Sequence, residues 1–276
     1  MSDNRSKILI SVADLVVQLD ARAPLVLLDV RDDANVALRP LIPGSIRTTL
    51  ADDFSGAASK LAGKRPLPAI DLLQDKARAW GIGPDSLIVV YDAQDSTQAA
   101  RAWWTLRWAG LDNVRILDGG LAAWTAAGRR TVDDAIIAPN NGTVTLHAGH
   151  MPTLEADEAA QLAQSGALLD ARGKANYAAG HIPGGIFAPT GENVGPTGRF
   201  KSYDELRARF AKLGASDSAP VGAYCGSGNA AAHEVAALAL IGIEAPLYVG
   251  SWSAWSSDPA RPVETSEDAK RDGTHG

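Results

Sequence analysis

Leu25-Val-Leu-Leu-Asp-Val-Arg31 is written a second time in the same chain, as Ala167-Leu-Leu-Asp-Ala-Arg172. Each copy is a short apolar run that stops on Asp-x-Arg, the pattern of a strand buried on both faces. Working outward, further pairs follow in the same order. Ile42-Pro-Gly44 returns as Ile182-Pro-Gly184, and Leu87-Ile-Val-Val-Tyr-Asp92 as Val221-Gly-Ala-Tyr-Cys225. Gly119-Gly-Leu-Ala-Ala-Trp124 returns as Gly250-Ser-Trp-Ser-Ala-Trp255. The spacing between copies shrinks steadily along the chain, as in a duplicated domain whose loops differ in length. It is far longer than the roughly 20–50 residue period of a solenoid.

Within the first copy, residues 26–30, 87–91 and 114–117 read as strands, while Ala99, Ala100, Trp103, Trp104 and Trp108 share one helical face. The tryptophans therefore read as core rather than as a stacking surface for a ligand. Such alternation predicts an α/β class, with two homologous domains that are each a mainly parallel sheet flanked by helices. The expected boundaries are an N-terminal domain over 1–132, a linker over 133–152, a C-terminal domain over 153–265 and a polar tail over 266–276. The linker holds Pro139-Asn-Asn-Gly142 and is expected to contain a short extended segment at 143–146.

The 276 residues are 46% hydrophobic and 21% charged, with a formal charge of −6 and one cysteine. These are globular values. They offer no basic stripe for a nucleic acid, no internal disulfide and no cysteine-built zinc cluster. No apolar run reaches membrane-spanning length, and the N-terminus lacks the apolar core of a signal peptide. The reading is a cytoplasmic protein with no nucleic-acid or membrane partner, no cofactor and no metal.

The single cysteine lies in Val221-Gly-Ala-Tyr-Cys-Gly-Ser-Gly-Asn-Ala-Ala-Ala-His233. A strand ends at Cys225, three small residues follow, and an alanine-rich helical segment begins. This arrangement predicts a sulfur held among the amides of Gly226, Ser227, Gly228, Asn229 and Ala230, at the positive end of a helix dipole. Helix N-termini favour the reactive thiolate form of a cysteine. The competing reading of a lone cysteine is a small buried hydrophobe, but core packing gives no reason to clear side chains from around one sulfur. Ser227 and Asn229 can donate to a bound anion, or one of them can simply cap the helix.

Taken together, the two Leu-Leu-Asp-x-Arg units, the Ile-Pro-Gly turns and the Gly-x-x-x-x-Trp segments resemble the tandem-domain rhodanese family. The likeness runs from about residue 11 to 265 and includes Ala100-Arg-Ala-Trp-Trp104, Leu117-Asp-Gly-Gly-Leu-Ala-Ala-Trp124 and Gly180-His-Ile-Pro-Gly184. It implies two rhodanese-like domains and a sulfurtransferase that acts on thiosulfate or 3-mercaptopyruvate. Cys225 would be the catalytic residue and persulfide carrier. Partners would be a small anionic sulfur donor and a thiol acceptor, either a small molecule or a thioredoxin-like protein. The Cys-Gly-Ser-Gly start is similar to the mercaptopyruvate branch. Asp92 occupies the cysteine position of the first copy, which therefore reads as the inactive one.

Three positions depart from the family pattern. Leu41 stands where a histidine usually precedes the first Ile-Pro-Gly. Asn176 replaces an arginine that pairs with the donor, and Ser227 occupies the loop position that is basic in thiosulfate enzymes. Candidate replacements for substrate binding are Arg172, Lys174, His181, Arg199 and Lys201, with Trp252 and Trp255 at the cleft mouth. Arg172 also reads as a structural partner of Asp170, Lys174 as a solvated surface charge and His181 as a loop brace. His233 reads as packing or solvent-facing.

The alternative from another class is a non-catalytic or partner-fed persulfide relay protein with little turnover of small donors. A cysteine phosphatase or arsenate reductase would need an arginine six residues after the cysteine, and that position is Ala231.

Overall fold

The computed structural model describes residues 4–21, 24–32, 39–93, 95–216 and 219–266. They fall into two compact units. The first comprises Met1–Gly56, Leu67–Met151 and Val194–Phe200, and the second comprises Ala57–Pro66, Pro152–Asn193 and Lys201–Gly276. The expected tail lies outside the described residues from 267 onward.

The first unit holds α1 (Arg5–Ile8), β1 (Leu9–Ile10), α2 (Val12–Asp20), β2 (Leu25–Arg31), β3 (Ser45–Thr49), α3 (Leu50–Asp53), α4 (Ile70–Ala79), β4 (Leu87–Tyr91), α5 (Thr97–Trp108), β5 (Val114–Leu117) and α6 (Gly120–Ala126). Its sheet has the order β1-β5-β4-β2-β3, and every pairing is parallel. In the second unit come β6 (Thr153–Leu154), α7 (Ala156–Ser165), β7 (Ala167–Asp170), α8 (Lys174–Ala179), β8 (Ile186–Phe187), α9 (Tyr203–Lys212), β9 (Val221–Tyr224), α10 (Asn229–Leu240), β10 (Leu247–Tyr248) and α11 (Ser251–Trp255). Its sheet runs β6-β10-β9-β7-β8, again all parallel. The two orders are the same topology, so the repeat in sequence is a repeat in fold.

The central strands form because their residues are apolar on both faces. All five residues of β4 and all four of β9 are buried, as a parallel sheet covered by helices requires. The helix after each central strand is also enclosed: residues 231–238 of α10 are all buried, which fits an alanine-rich segment with no polar stripe. Trp103 and Trp104 are core residues of α5. Leu41 is fully buried and pairs with Val132 in an antiparallel bridge.

Residues 143–146 form no strand. Gly142 donates to the Arg78 carbonyl and Val144 to that of Ile82, and the side chains of Val144 and Leu146 are buried.

In both units the strand order reverses direction between the two central strands. Successive connections leave β7 and β9 toward opposite edges of the sheet, which opens a crevice beyond their carboxyl ends. Asp170 of β7 pairs with Tyr224 of β9. The residues that continue from these two strands, Arg172 and Cys225, are therefore placed at that crevice.

Candidate active site

Cys225 follows β9 directly and is 2% exposed. The chain then turns through Gly226, Ser227 and Gly228 into α10. Gly228 has φ of 90°, a left-handed conformation that its lack of a Cβ permits. From there its amide donates to Cys225 Sγ across 3.0 Å. The sulfur thus sits against a backbone donor at the start of a 12-residue helix, where negative charge is favoured. The Cys225 amide donates to Ser251 Oγ at 3.2 Å, and the Cys225 carbonyl accepts from Trp252 N at 2.8 Å. Both ends of the residue are thereby fixed to α11.

The capping alternative is not what folds. Gly228 is the N-cap of α10, and no side chain caps that helix. Asn229 Oδ1 is buried without a hydrogen-bond partner among the described residues.

Arg172 reaches Asp170 with Nε at 2.9 Å and Nη2 at 2.6 Å, and Nη2 also donates to the Gly180 carbonyl at 2.7 Å. Its guanidinium lies 4.6 Å from the Trp252 ring centre and 5.8 Å from that of Tyr224. Burial works against its charge, yet the Asp170 carboxylate more than offsets this and holds the Arg172 pKa above its ordinary value. Burial first, and then Asp170, push the Tyr224 hydroxyl well above the usual phenol range. It stays neutral and accepts the Ile182 amide at 3.1 Å.

A cleft of about 780 Å³ opens beside this loop. It is lined by Gly226, Ser227, Arg172, Asn176, Trp252, Ser253, Ser256 and Ser257, and by Ser59, Lys60 and Lys64 from a hairpin of the same unit. Three cations and several hydroxyl donors line it, and no carboxylate does. Of the residues proposed from sequence, Arg172, Asn176, Gly226, Ser227 and Trp252 meet here. Lys174, His181, Arg199 and Lys201 are not among the lining residues, and Trp255 is packed in the core of the second unit instead of at the cleft mouth.

His181 is buried, stacks on Tyr177 at 3.9 Å and has Nδ1 3.0 Å from the Tyr177 carbonyl. Arg199 falls in the first unit, against Gly119. His233 is buried rather than solvent-facing, with Nδ1 3.4 Å from Asn193 Nδ2. Lys60 and Lys64 were missed by sequence reasoning. The only signal near them is Gly63 between two lysines, which has no chemical meaning until the hairpin is seen.

The second unit also buries Glu234 on α10, which accepts from Arg209 Nη1 at 2.7 Å and Asn193 Nδ2 at 2.6 Å. Burial outweighs both partners and raises its pKa. These bonds tie α10 to α9 and to the 3-10 turn at Thr190–Asn193.

The rhodanese-like domain pattern matches residues 11–127 and 155–258, one match to each copy of the repeat. The chain belongs to the rhodanese family. Among its relatives, SseB of Mycobacterium tuberculosis, which carries the name thiosulfate sulfurtransferase, is 41% identical over 94% of this chain and 97% of its own. A protein of Pseudomonas aeruginosa named for 3-mercaptopyruvate sulfurtransferase is 42% identical over 94% of this chain and 95% of its own. The crystal structure of SseA from Escherichia coli, described among 3-mercaptopyruvate sulfotransferases, superposes with a TM-score of 0.78. It is 28% identical, and the match covers 88% of this rhodanese and 98% of SseA. Relatives of near-equal identity thus carry two donor names. Among the described residues, no helix is long and apolar enough to cross a membrane.

Proposed function

We propose that this chain moves a sulfane sulfur from thiosulfate or 3-mercaptopyruvate to a thiophilic acceptor through a persulfide on Cys225. The observation that carries the reading is the Gly228 amide on the Cys225 sulfur at the start of α10. As a rhodanese-type sulfurtransferase, the protein works by covalent catalysis in two half-reactions. The Cys225 thiolate attacks the transferable sulfur of the donor, the sulfane sulfur of thiosulfate or the thiol sulfur of 3-mercaptopyruvate. With thiosulfate, the S–S bond breaks and sulfite leaves with the electron pair. With 3-mercaptopyruvate, the C–S bond breaks and the carbon keeps that pair and takes the thiol proton, giving pyruvate. Either way the enzyme holds Cys–S–S⁻.

An acceptor then attacks the outer sulfur. Cyanide leaves as thiocyanate, a thiol as its persulfide, and the Cys225 thiolate returns. The Gly228 amide and the helix terminus stabilise negative charge on the sulfur throughout, as an oxyanion hole does for oxygen. Arg172 and Trp252 form a fixed cleft wall, and the first unit, with Asp92 in the cysteine position, has no thiol to form a persulfide.

Intact-protein mass spectrometry tests the reading. After exposure to one of the two donors, the protein is expected to gain one sulfur atom, localised to Cys225 and removed by cyanide. Cys225→Ser is expected to gain none. A protein that neither donor charges would instead support the partner-fed relay.

A further inference from the structure

The cleft must hold an anion, yet its two family anchor positions, Asn176 and Ser227, are neutral. Arg172 lines the cleft, but its charge is committed to Asp170. Lys60 and Lys64 are the remaining cations of the lining. Neither forms an ion pair with a described residue, and both are exposed.

The hairpin that carries them is built into the site. Ser59 and Gly63 exchange backbone hydrogen bonds at 3.1 and 2.9 Å, and the Ala62 amide donates to Ser59 Oγ at 3.0 Å. The turn so closed places Lys60 at its tip and Lys64 just past its end. Gly63 has φ of 82°, and a Cβ there would stand 2.5 Å from the Gly250 carbonyl oxygen. Only glycine allows this approach. The Lys64 amide donates to Ser253 Oγ at 2.9 Å, and the Ser253 amide donates to the Gly226 carbonyl at 3.0 Å. Ser257 Oγ donates to the Lys60 carbonyl. Two successive hydrogen bonds through Ser253 therefore connect the backbone of Lys64 to the residue after Cys225.

We infer that Lys60 and Lys64 are the residues that recruit the anionic sulfur donor, replacing in position and in charge the basic residues absent at Asn176 and Ser227. This rests on the sulfurtransferase reading above. The lysines supply charge to the donor's sulfonate or carboxylate and touch no reacting sulfur. Their effect therefore falls on capture and not on bond cleavage. Flexible, exposed ammonium groups contribute modestly each, and their attraction is screened by salt.

The test is single-turnover sulfur uptake by the full chain, followed by quenched mass spectrometry over a range of thiosulfate and 3-mercaptopyruvate concentrations, at low and high salt. Lys60→Gln/Lys64→Gln is expected to lower the second-order rate constant of uptake about tenfold, with the saturating rate unchanged. Salt should slow uptake by the wild type and leave the variant nearly unaffected. Lys60→Arg/Lys64→Arg should restore both the rate and its salt dependence. A Gln variant that charges with the wild-type concentration and salt dependence overturns the inference and leaves the Cys225 reading standing. Failure of the wild type to charge with either donor overturns that reading, and the inference with it.

Discussion

The Gly228 amide reaches the Cys225 sulfur at 3.0 Å only because Gly228 adopts a left-handed backbone. Its neighbour Gly226 differs: φ there is not in the left-handed range, and a Cβ would meet nothing within 4 Å. Gly228→Ala is expected to cost about 1–2 kcal/mol through backbone strain and to slow sulfur uptake. Gly226→Ala should leave the melting temperature unchanged. Thermal melts of both variants, with donor uptake beside them, check this. Equal melts would refute the role given to Gly228.

Asp170 and Arg172 form a buried ion pair beside the cysteine loop, with contacts from 2.6 to 3.1 Å. Removing one member leaves the other charged and unpaired inside the protein, at a cost of about 3–5 kcal/mol. Asp170→Asn and Arg172→Ala are each expected to lose that much in urea unfolding. Arg172→Lys should also fail to rescue, because the paired donors and the planar contact with Trp252 belong to guanidinium. The apolar double variant Asp170→Leu/Arg172→Met should be less destabilised than Asp170→Asn or Arg172→Ala. Losses below about 1 kcal/mol in those two single variants would contradict the account.

The central strands were legible in the sequence because burial on both faces leaves near-continuous apolar runs: residues 87–91 and 114–117 coincide with β4 and β5. Strands such as β1, β6, β8 and β10 were not, because two residues carry no period. Their place comes from partners, as Leu9 against Ile116 or Thr153 against Leu247. The cysteine loop announced itself through its small residues. Lys60 and Lys64 did not, since an exposed lysine far along the chain looks like any solvated surface charge. What brings them to the cleft is the approach of Gly63 to Gly250, a long-range contact that no local pattern encodes.

Asp92 makes the first unit sensitive to pH. Its carboxyl is buried and accepts the amides of Ser96, Gln98 and Ala99. Burial outweighs these bonds and pushes its pKa up to about 6 from the ordinary 3.8. Between those values the folded chain holds a proton that the unfolded chain has released. Stability from this group therefore falls as pH rises through the window, by on the order of 3 kcal/mol in all. Asp92→Asn gives up a carboxyl acceptor and should be less stable than wild type at pH 4. It carries no such titration, so the gap should narrow by pH 7. Urea unfolding at several pH values reads this directly. A gap that stays constant would show that Asp92 titrates alike in both states.

The two units share one further device, and it yields a matched pair of variants. The Tyr224 hydroxyl accepts the Ile182 amide at 3.1 Å, and the Tyr91 hydroxyl accepts the Ile42 amide at 3.1 Å. Each bond ties an Ile-Pro-Gly turn to the end of a central strand, and all four residues are fully buried. Tyr→Phe leaves an amide buried without its acceptor, at about 1–3 kcal/mol. Each hydroxyl has a second polar neighbour as well: Tyr91 donates to Ser45 Oγ at 2.8 Å, and Tyr224 faces the Asp170 carboxylate. Tyr91→Phe and Tyr224→Phe should therefore both destabilise. Only Tyr224→Phe should also slow sulfur uptake, since Tyr224 immediately precedes Cys225 and its ring lies beside Arg172. Urea unfolding gives the first comparison and single-turnover uptake the second. Equal slowing in both variants would mean that the hydroxyls serve general stability and not the placement of the cysteine loop.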